Sequence, residues 1–167
     1  MGALSGRDYG VAVGIATICA ATMYLGYGIA LPSLMAWFPL AEKPLSLPAV
    51  QTLLLMRAAA LFAGGVALWL VWRACVTAEP PRSAILPGAI WVATLAVEAT
   101  WHIAFHVLRR FDLALWLSVA EFVLAIVLWR VFRRYSKVAG GLMLLILLWV
   151  LYTLRESHRF WQLNPVL

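Results

Sequence analysis

Charge is scarce in this chain. Of its 167 residues only 12% are charged, while 65% are hydrophobic. A soluble domain carries roughly 25% charged and 45–50% apolar residues. An apolar excess of this size cannot be hidden inside one water-facing fold, which excludes a water-soluble domain. Lipid removes the conflict, because side chains facing hydrocarbon need no protein cover. Cysteine is nearly absent. Cys19 and Cys75 both sit in or beside apolar runs, with no CxxC spacing and no His at zinc-finger distance, so they read as small buried hydrophobes and leave the redox compartment open. No GxSxG, Walker loop, HExxH or CxxCH is present, and there is no convincing repeat and no linker to a second domain. The net charge of +6 does not point to nucleic acid. The basic residues cluster at the ends of apolar runs, where they meet lipid headgroups.

What is present is a series of long apolar runs. A bilayer core needs about 20 apolar residues per helix, and five runs qualify, over residues 9–35, 49–74, 85–108, 113–132 and 138–161. The first exceeds the roughly 7–15 residues of a signal-peptide core and reads as a true span. The expected fold is therefore all-α, a single bundle of five transmembrane helices forming one domain over residues 1–167. Short connections predict that consecutive helices are antiparallel neighbours. Between the first two spans, Pro39, Pro44 and Pro48 rule out a regular helix. With Trp37 and Phe38, this connector is expected to form an ordered lid over the bundle. Trp37, Trp69, Trp72, Trp129 and Trp161 lie near span ends and read as interface belts. Gly64-Gly65 and Gly140-Gly141 read as close helix packing.

Five spans put the termini on opposite sides. Arg7, Arg73, Arg82, Arg130, Arg133, Arg134 and Lys137 then share the N-terminal side, which the positive-inside rule places in the cytoplasm.

Ionisable residues inside the spans are the candidates for chemistry, since they are costly in hydrocarbon and usually face the bundle interior. Glu98, His102 and His106 recur every four residues and form one helix stripe. The stripe suits proton transfer, orientation of a polar ligand group, structural hydrogen bonding, or metal ligation with Glu121 as a further ligand. No metal is assigned. His106 adjoins Arg109-Arg110 and is open to solvation. Glu121 lies mid-span, with Arg57, Arg155 or His158 as prospective partners. Arg155 and Glu156 point about 100° apart and are expected to pair elsewhere. An unpaired mid-bilayer Arg57 costs roughly 2.5–3.5 kcal/mol on insertion scales, so it needs a partner or a route to the interface.

Three stretches carry a family resemblance. The connector from Trp37-Phe38 through Lys43-Pro44 to Pro48 is similar to a W-Y-x-x-L-x-K-P-x-W/F-x-P-P loop. Glu98 to His106, with Trp101 and Phe105, is similar to N-x-x-W-x-P-x-F-F. Trp149 and Leu163-Asn164 match the ends of P-Y-x-x-W and R-L-N. The chain thus resembles the tryptophan-rich sensory protein family, which includes the translocator (peripheral benzodiazepine receptor) proteins. The resemblance implies a five-helix bundle, a homodimer in the lipid bilayer, and a pocket for a lipophilic tetrapyrrole- or sterol-like ligand, with transport, sensing or turnover as its role. It also implies a multi-pass protein, expected in a bacterial inner membrane. No bound cofactor is assigned beyond such a ligand.

The departures are specific. Ala49 replaces a loop proline, Arg57 a pocket tryptophan, Glu98 the asparagine, His106 a phenylalanine, Leu145-Ile146 the P-Y pair, and Ser157 a late asparagine. Arg57 and Glu98 are opposite charges at two pocket positions, so a buried ion pair is expected. Ligand contacts are expected at Trp37, Arg57, Glu98, Trp101, His102, Phe105, Glu121 and Trp149. Two other functions stay open: a membrane enzyme using Glu98, His102 and His106 for proton transfer on a lipid-soluble substrate, and an accessory subunit of a larger membrane complex.

Overall fold

The computed structural model describes residues 6–45 and 47–164. The single-domain expectation runs over 1–167, and its two ends lie outside the described residues. Five helices follow in order: α1 (Gly6–Met35), α2 (Val50–Val76), α3 (Ile85–His102), α4 (Phe111–Tyr135) and α5 (Lys137–Leu163). A π-helical turn, Ile103–Val107, extends α3, and one 3₁₀ turn, Phe38–Leu40, interrupts the proline-rich connector. No strand occurs among the described residues. All five helical segments are long and apolar enough to cross a membrane, and the chain is an integral, multi-pass membrane protein. The helices outrun the apolar runs at several ends, with α4 continuing to Tyr135 through Arg133 and Arg134. Hydropathy marks the hydrocarbon, whereas backbone hydrogen bonding continues into the headgroup layer.

Packing closes a ring in the order α1, α2, α5, α4, α3 and back to α1. Here one expectation fails. Although α2 and α3 are consecutive, α2 packs mainly on α5 and touches α3 at few points. The loop joining them spans the ring instead of a shared face. One core lies among α2, α4 and α5, around Val71, Leu128, Phe132, Met143 and Val150. A second, aromatic core of Trp37, Phe105, Phe111 and Phe160 sits under the connector. Large apolar side chains such as Leu55, Phe62 and Leu148 point outward, as a lipid-facing surface requires.

Small residues set the close approaches. A Cβ on Gly64 would lie 2.7 Å from Ile146 Cδ1, and one on Gly65 3.0 Å from Cys19 Sγ. A Cβ on Gly140 would lie 2.8 Å from Arg133 Cβ, whereas one on Gly141 meets nothing within 4 Å. Packing thus explains three of the four glycines. Where an interface belt is expected on the N-terminal side, the guanidinium of Arg73 lies 5.3 Å from the Trp69 ring and that of Arg133 5.6 Å from Trp129. Trp37 departs from it. It is buried against Phe105, Phe111 and Phe160 at centroid distances of 6.0, 5.7 and 6.4 Å, because the connector folds inward over the ring.

Asn164 holds that connector down. Its Oδ1 accepts from Glu42 N at 3.2 Å, and its Nδ2 donates to Glu42 O at 2.8 Å and to Phe160 O at 3.0 Å. Asn164→Ala removes both links to the connector. At about 1 kcal/mol per hydrogen bond, the loss of both should accelerate amide exchange in residues 37–45 by about thirtyfold. Unchanged exchange there would show that the clasp does not hold the lid.

Candidate functional site

Inside the ring, beneath the connector, lies a cavity of about 160 Å³. Gly26, Tyr27, Ala30 and Leu34 of α1 form one wall, with Leu53, Leu54 and Arg57 of α2 beside them. Glu98, Trp101, His102, Phe105 and His106 face it from α3 and its π turn, Glu121 from α4, and Trp149, Tyr152, Glu156, Ser157 and Phe160 from α5. Phe38 and Leu47 of the connector line its remaining side. Of the residues singled out in the sequence, Arg57, Glu98, Trp101, His102, Phe105, His106, Glu121 and Trp149 all reach this cavity. Trp37 does not. It stands one layer behind, in the aromatic cluster.

The charged centre is an ion pair. Arg57 Nε donates to Glu98 Oε1 at 2.8 Å, with both side chains at or below 10% exposure. Arg57 Nη2 also donates to the Thr22 carbonyl of α1 at 3.4 Å. Gly26 makes room for this, since a Cβ there would overlap the guanidinium. Arg57 therefore stays in the bundle and does not snorkel. Glu121 is buried, yet among the described residues it forms no ion pair with Arg57, Arg155 or His158. Arg57 is held by Glu98, and Arg155 turns to its own neighbour, with Nη1 3.7 Å from Glu156 Oε1. The expectation that Arg155 and Glu156 avoid each other is thereby corrected. The long, half-exposed arginine side chain bends back along the helix surface and overcomes the angular offset.

The histidines are ordered by their surroundings. The π turn, in which Leu108 N donates to Ile103 O at 3.0 Å, widens the helix where His106 sits, and such turns are frequent at functional sites. The His102 and His106 rings stack at 5.6 Å and 12°. His106 Nδ1 lies at hydrogen-bond distance from Ser33 Oγ, and Ser33 Oγ lies 2.8 Å from Ala30 O. A carbonyl can only accept, so the Ser33 hydroxyl donates to Ala30 O and accepts from His106 Nδ1–H. In the neutral ring, Nε2 is then left as an acceptor. His106 is thus tied to α1 and is not solvated beside Arg109. His102 Nδ1 and Tyr152 Oη are buried with no hydrogen-bond partner among the described residues.

A second network aligns an aromatic wall. Trp101 Nε1 donates to Ser157 Oγ at 3.3 Å, Ser157 and Ser118 hydroxyls lie 3.1 Å apart, and Ser118 donates to Ala114 O at 3.0 Å. Ser118's only proton goes to Ala114, so Ser157 donates to Ser118 and accepts from Trp101. Phe105 then stacks on Trp101 at 5.0 Å and 18°. No three His, Cys, Asp or Glu side chains among the described residues converge closely enough to hold a metal ion.

Five helices ringed about a cavity match the five-helix bundle that the sequence resemblance implies. The profile of the TspO/MBR family matches residues 13–161. The chain belongs to the TspO/MBR family. No curated protein sequence matches it. Within this TspO/MBR frame, Gly26, Ser33, Tyr152 and Phe160 are site residues that the sequence reading missed. Gly26 and Ser33 carry no signal of their own in an apolar helix. Ser157 stands out in the sequence only as the substitute for a family asparagine.

Proposed function

We propose that this TspO/MBR protein holds a lipophilic small molecule with a polar group inside its helix ring, for transport, sensing or turnover. The observation that carries this reading is a cavity whose lining combines aromatic side chains with His102 and Tyr152, whose buried Nδ1 and Oη have no hydrogen-bond partner among the described residues. Buried polar groups are normally satisfied, and a ligand's polar end would satisfy these. Ligand pockets usually span about 300–1,000 Å³, and a dry cavity of about 150 Å³ admits benzene. At about 160 Å³, the cavity suits a ring-sized group. A tetrapyrrole- or sterol-like ligand would enter only as the connector or α1 moves aside.

The test is mass and absorption spectra of whatever copurifies in mild detergent, compared with an Ala30→Phe variant. Ala30 lines the cavity, so a bound molecule should be lost from that variant. Equal retention would place the molecule elsewhere.

A second reading, proton transfer on a lipid-soluble substrate by Glu98, His102 and His106, is favoured by the orientation of His106, whose Nε2 acceptor is set by Ser33. Turnover abolished in both Glu98→Gln and His102→Ala, with ligand binding retained, would single it out.

The same proposal includes a homodimer in a bacterial inner membrane, with the N-terminus cytoplasmic. Single cysteines introduced at Ser5 and beside Pro165, in a background lacking Cys19 and Cys75, should label from opposite sides. Both positions lie outside the described residues. Labelling of both from one side would overturn the five-span topology.

A further inference from the structure

The charges lining the cavity do not balance. Glu98, Glu121 and Glu156 contribute three carboxyls, and Arg57 is the only Lys or Arg among the described lining residues. Arg57 is engaged by Glu98 at 2.8 Å, and Glu156 has Arg155 at 3.7 Å, from outside the cavity. That leaves Glu121. It is 7% exposed, faces the cavity, and makes no hydrogen bond or ion pair within 4 Å among the described residues. A carboxyl so placed is unmatched, and burial makes an unmatched group expensive. Its nearest charged company, the Arg57–Glu98 pair, is neutral as a unit.

The other unfilled groups ask for the same complement. His106 Nε2 is an acceptor, and Tyr152 Oη and His102 Nδ1 have no partner among the described residues. Trp149 shares lining with Glu121, and Trp101 and Tyr152 stand on neighbouring walls. Indole and phenol faces attract cations. An anionic ligand would meet Arg57 as the one Lys or Arg among the described lining residues, and the Glu98 carboxylate held on Arg57 Nε at 2.8 Å would repel it.

We infer that the ligand is a lipophilic amine, bound with its ammonium on Glu121 and its apolar body between the aromatic walls around Trp101 and Trp149. This rests on the cavity-binding reading above and names the chemical class of the ligand. It separates this chain from carriers of carboxylate-bearing tetrapyrroles and from carriers of neutral sterols.

The test uses the full chain in phosphatidylcholine nanodiscs, with phenylbutylamine, phenylbutanol and phenylbutyrate as matched probes. Heats are read by titration calorimetry against empty nanodiscs. A charge-assisted hydrogen bond is worth about 1.5–3 kcal/mol, so the amine should bind at least about tenfold tighter than the alcohol, and the butyrate weakest. Glu121→Gln should erase the difference between amine and alcohol, and Ala30→Phe should abolish binding of all the probes. If amine and alcohol bind equally, or the butyrate binds tightest, the amine assignment falls while the cavity reading stands. Amine preference that persists in Glu121→Gln also overturns it. Absence of any binding sensitive to Ala30→Phe overturns both. The wild-type comparison decides the matter even if Glu121→Gln does not fold, and Glu121→Met supplies a second variant.

Discussion

Arg57→Met or Glu98→Gln alone should destabilise the protein by about 3–5 kcal/mol, the usual loss when one partner of a buried pair is left uncompensated. The double variant should cost less than the sum of the two. Both residues are under 10% exposed, and their contact is 2.8 Å. Neither charge has water to retreat to. The arginine is fixed by Thr22 O and by the absence of a side chain at Gly26, so it cannot swing toward the headgroups once Glu98 is neutral. Removing both charges together leaves a smaller polar deficit, because no ion remains. The measurement is a double-mutant cycle of unfolding in mixed detergent micelles. Strict additivity would show that the two side chains do not couple.

Gly140→Ala should cost about 1–3 kcal/mol, the range for overpacking a tight contact, while Gly141→Ala should stay within about 0.5 kcal/mol. The neighbouring glycines differ in what stands opposite them. The added methyl at Gly140 meets Arg133 Cβ at 2.8 Å and Arg133 Cα at 3.0 Å, so backbone has to shift and α4 and α5 must part at their shared turn. At Gly141 the methyl points into open space. At Gly64 the obstacle is the Cδ1 end of Ile146, which can rotate away, so Gly140 is the more stringent position. Thermal unfolding of the two variants in one detergent makes the comparison. Equal changes in the two variants would show that the Arg133 contact does not set the difference, since helix propensity favours alanine at both positions alike.

The membrane spans were legible because hydropathy is a local property that sums along the chain, and each helix satisfies its own backbone hydrogen bonds. The Arg57–Glu98 pair was legible for a different reason. Two opposite charges in hydrocarbon have few ways to be accommodated, and the family pattern placed their positions side by side. Glu121 obeyed the same cost rule and still evaded prediction. The rule says that a buried carboxyl wants a partner, but not which of three candidate cations can reach it. Trp37 evaded prediction because a tryptophan near a span end suits both an interface and a plug, and only the inward fold of the connector separates the two.

By itself, then, the amino-acid sequence determined the solvent, the span count, the position of the lid, the family pattern and the residues too polar for lipid to face. Those properties follow from the composition of short segments. Only the tertiary structure decided that α2 leans on α5 instead of α3, that a π turn brings His106 to Ser33, that Gly26 holds space for a guanidinium, and that Glu121 finds no ion-pair partner among the described residues. Each of these depends on distances between segments far apart in the chain. Such distances are set by how five helices close into a ring, which no single helix encodes.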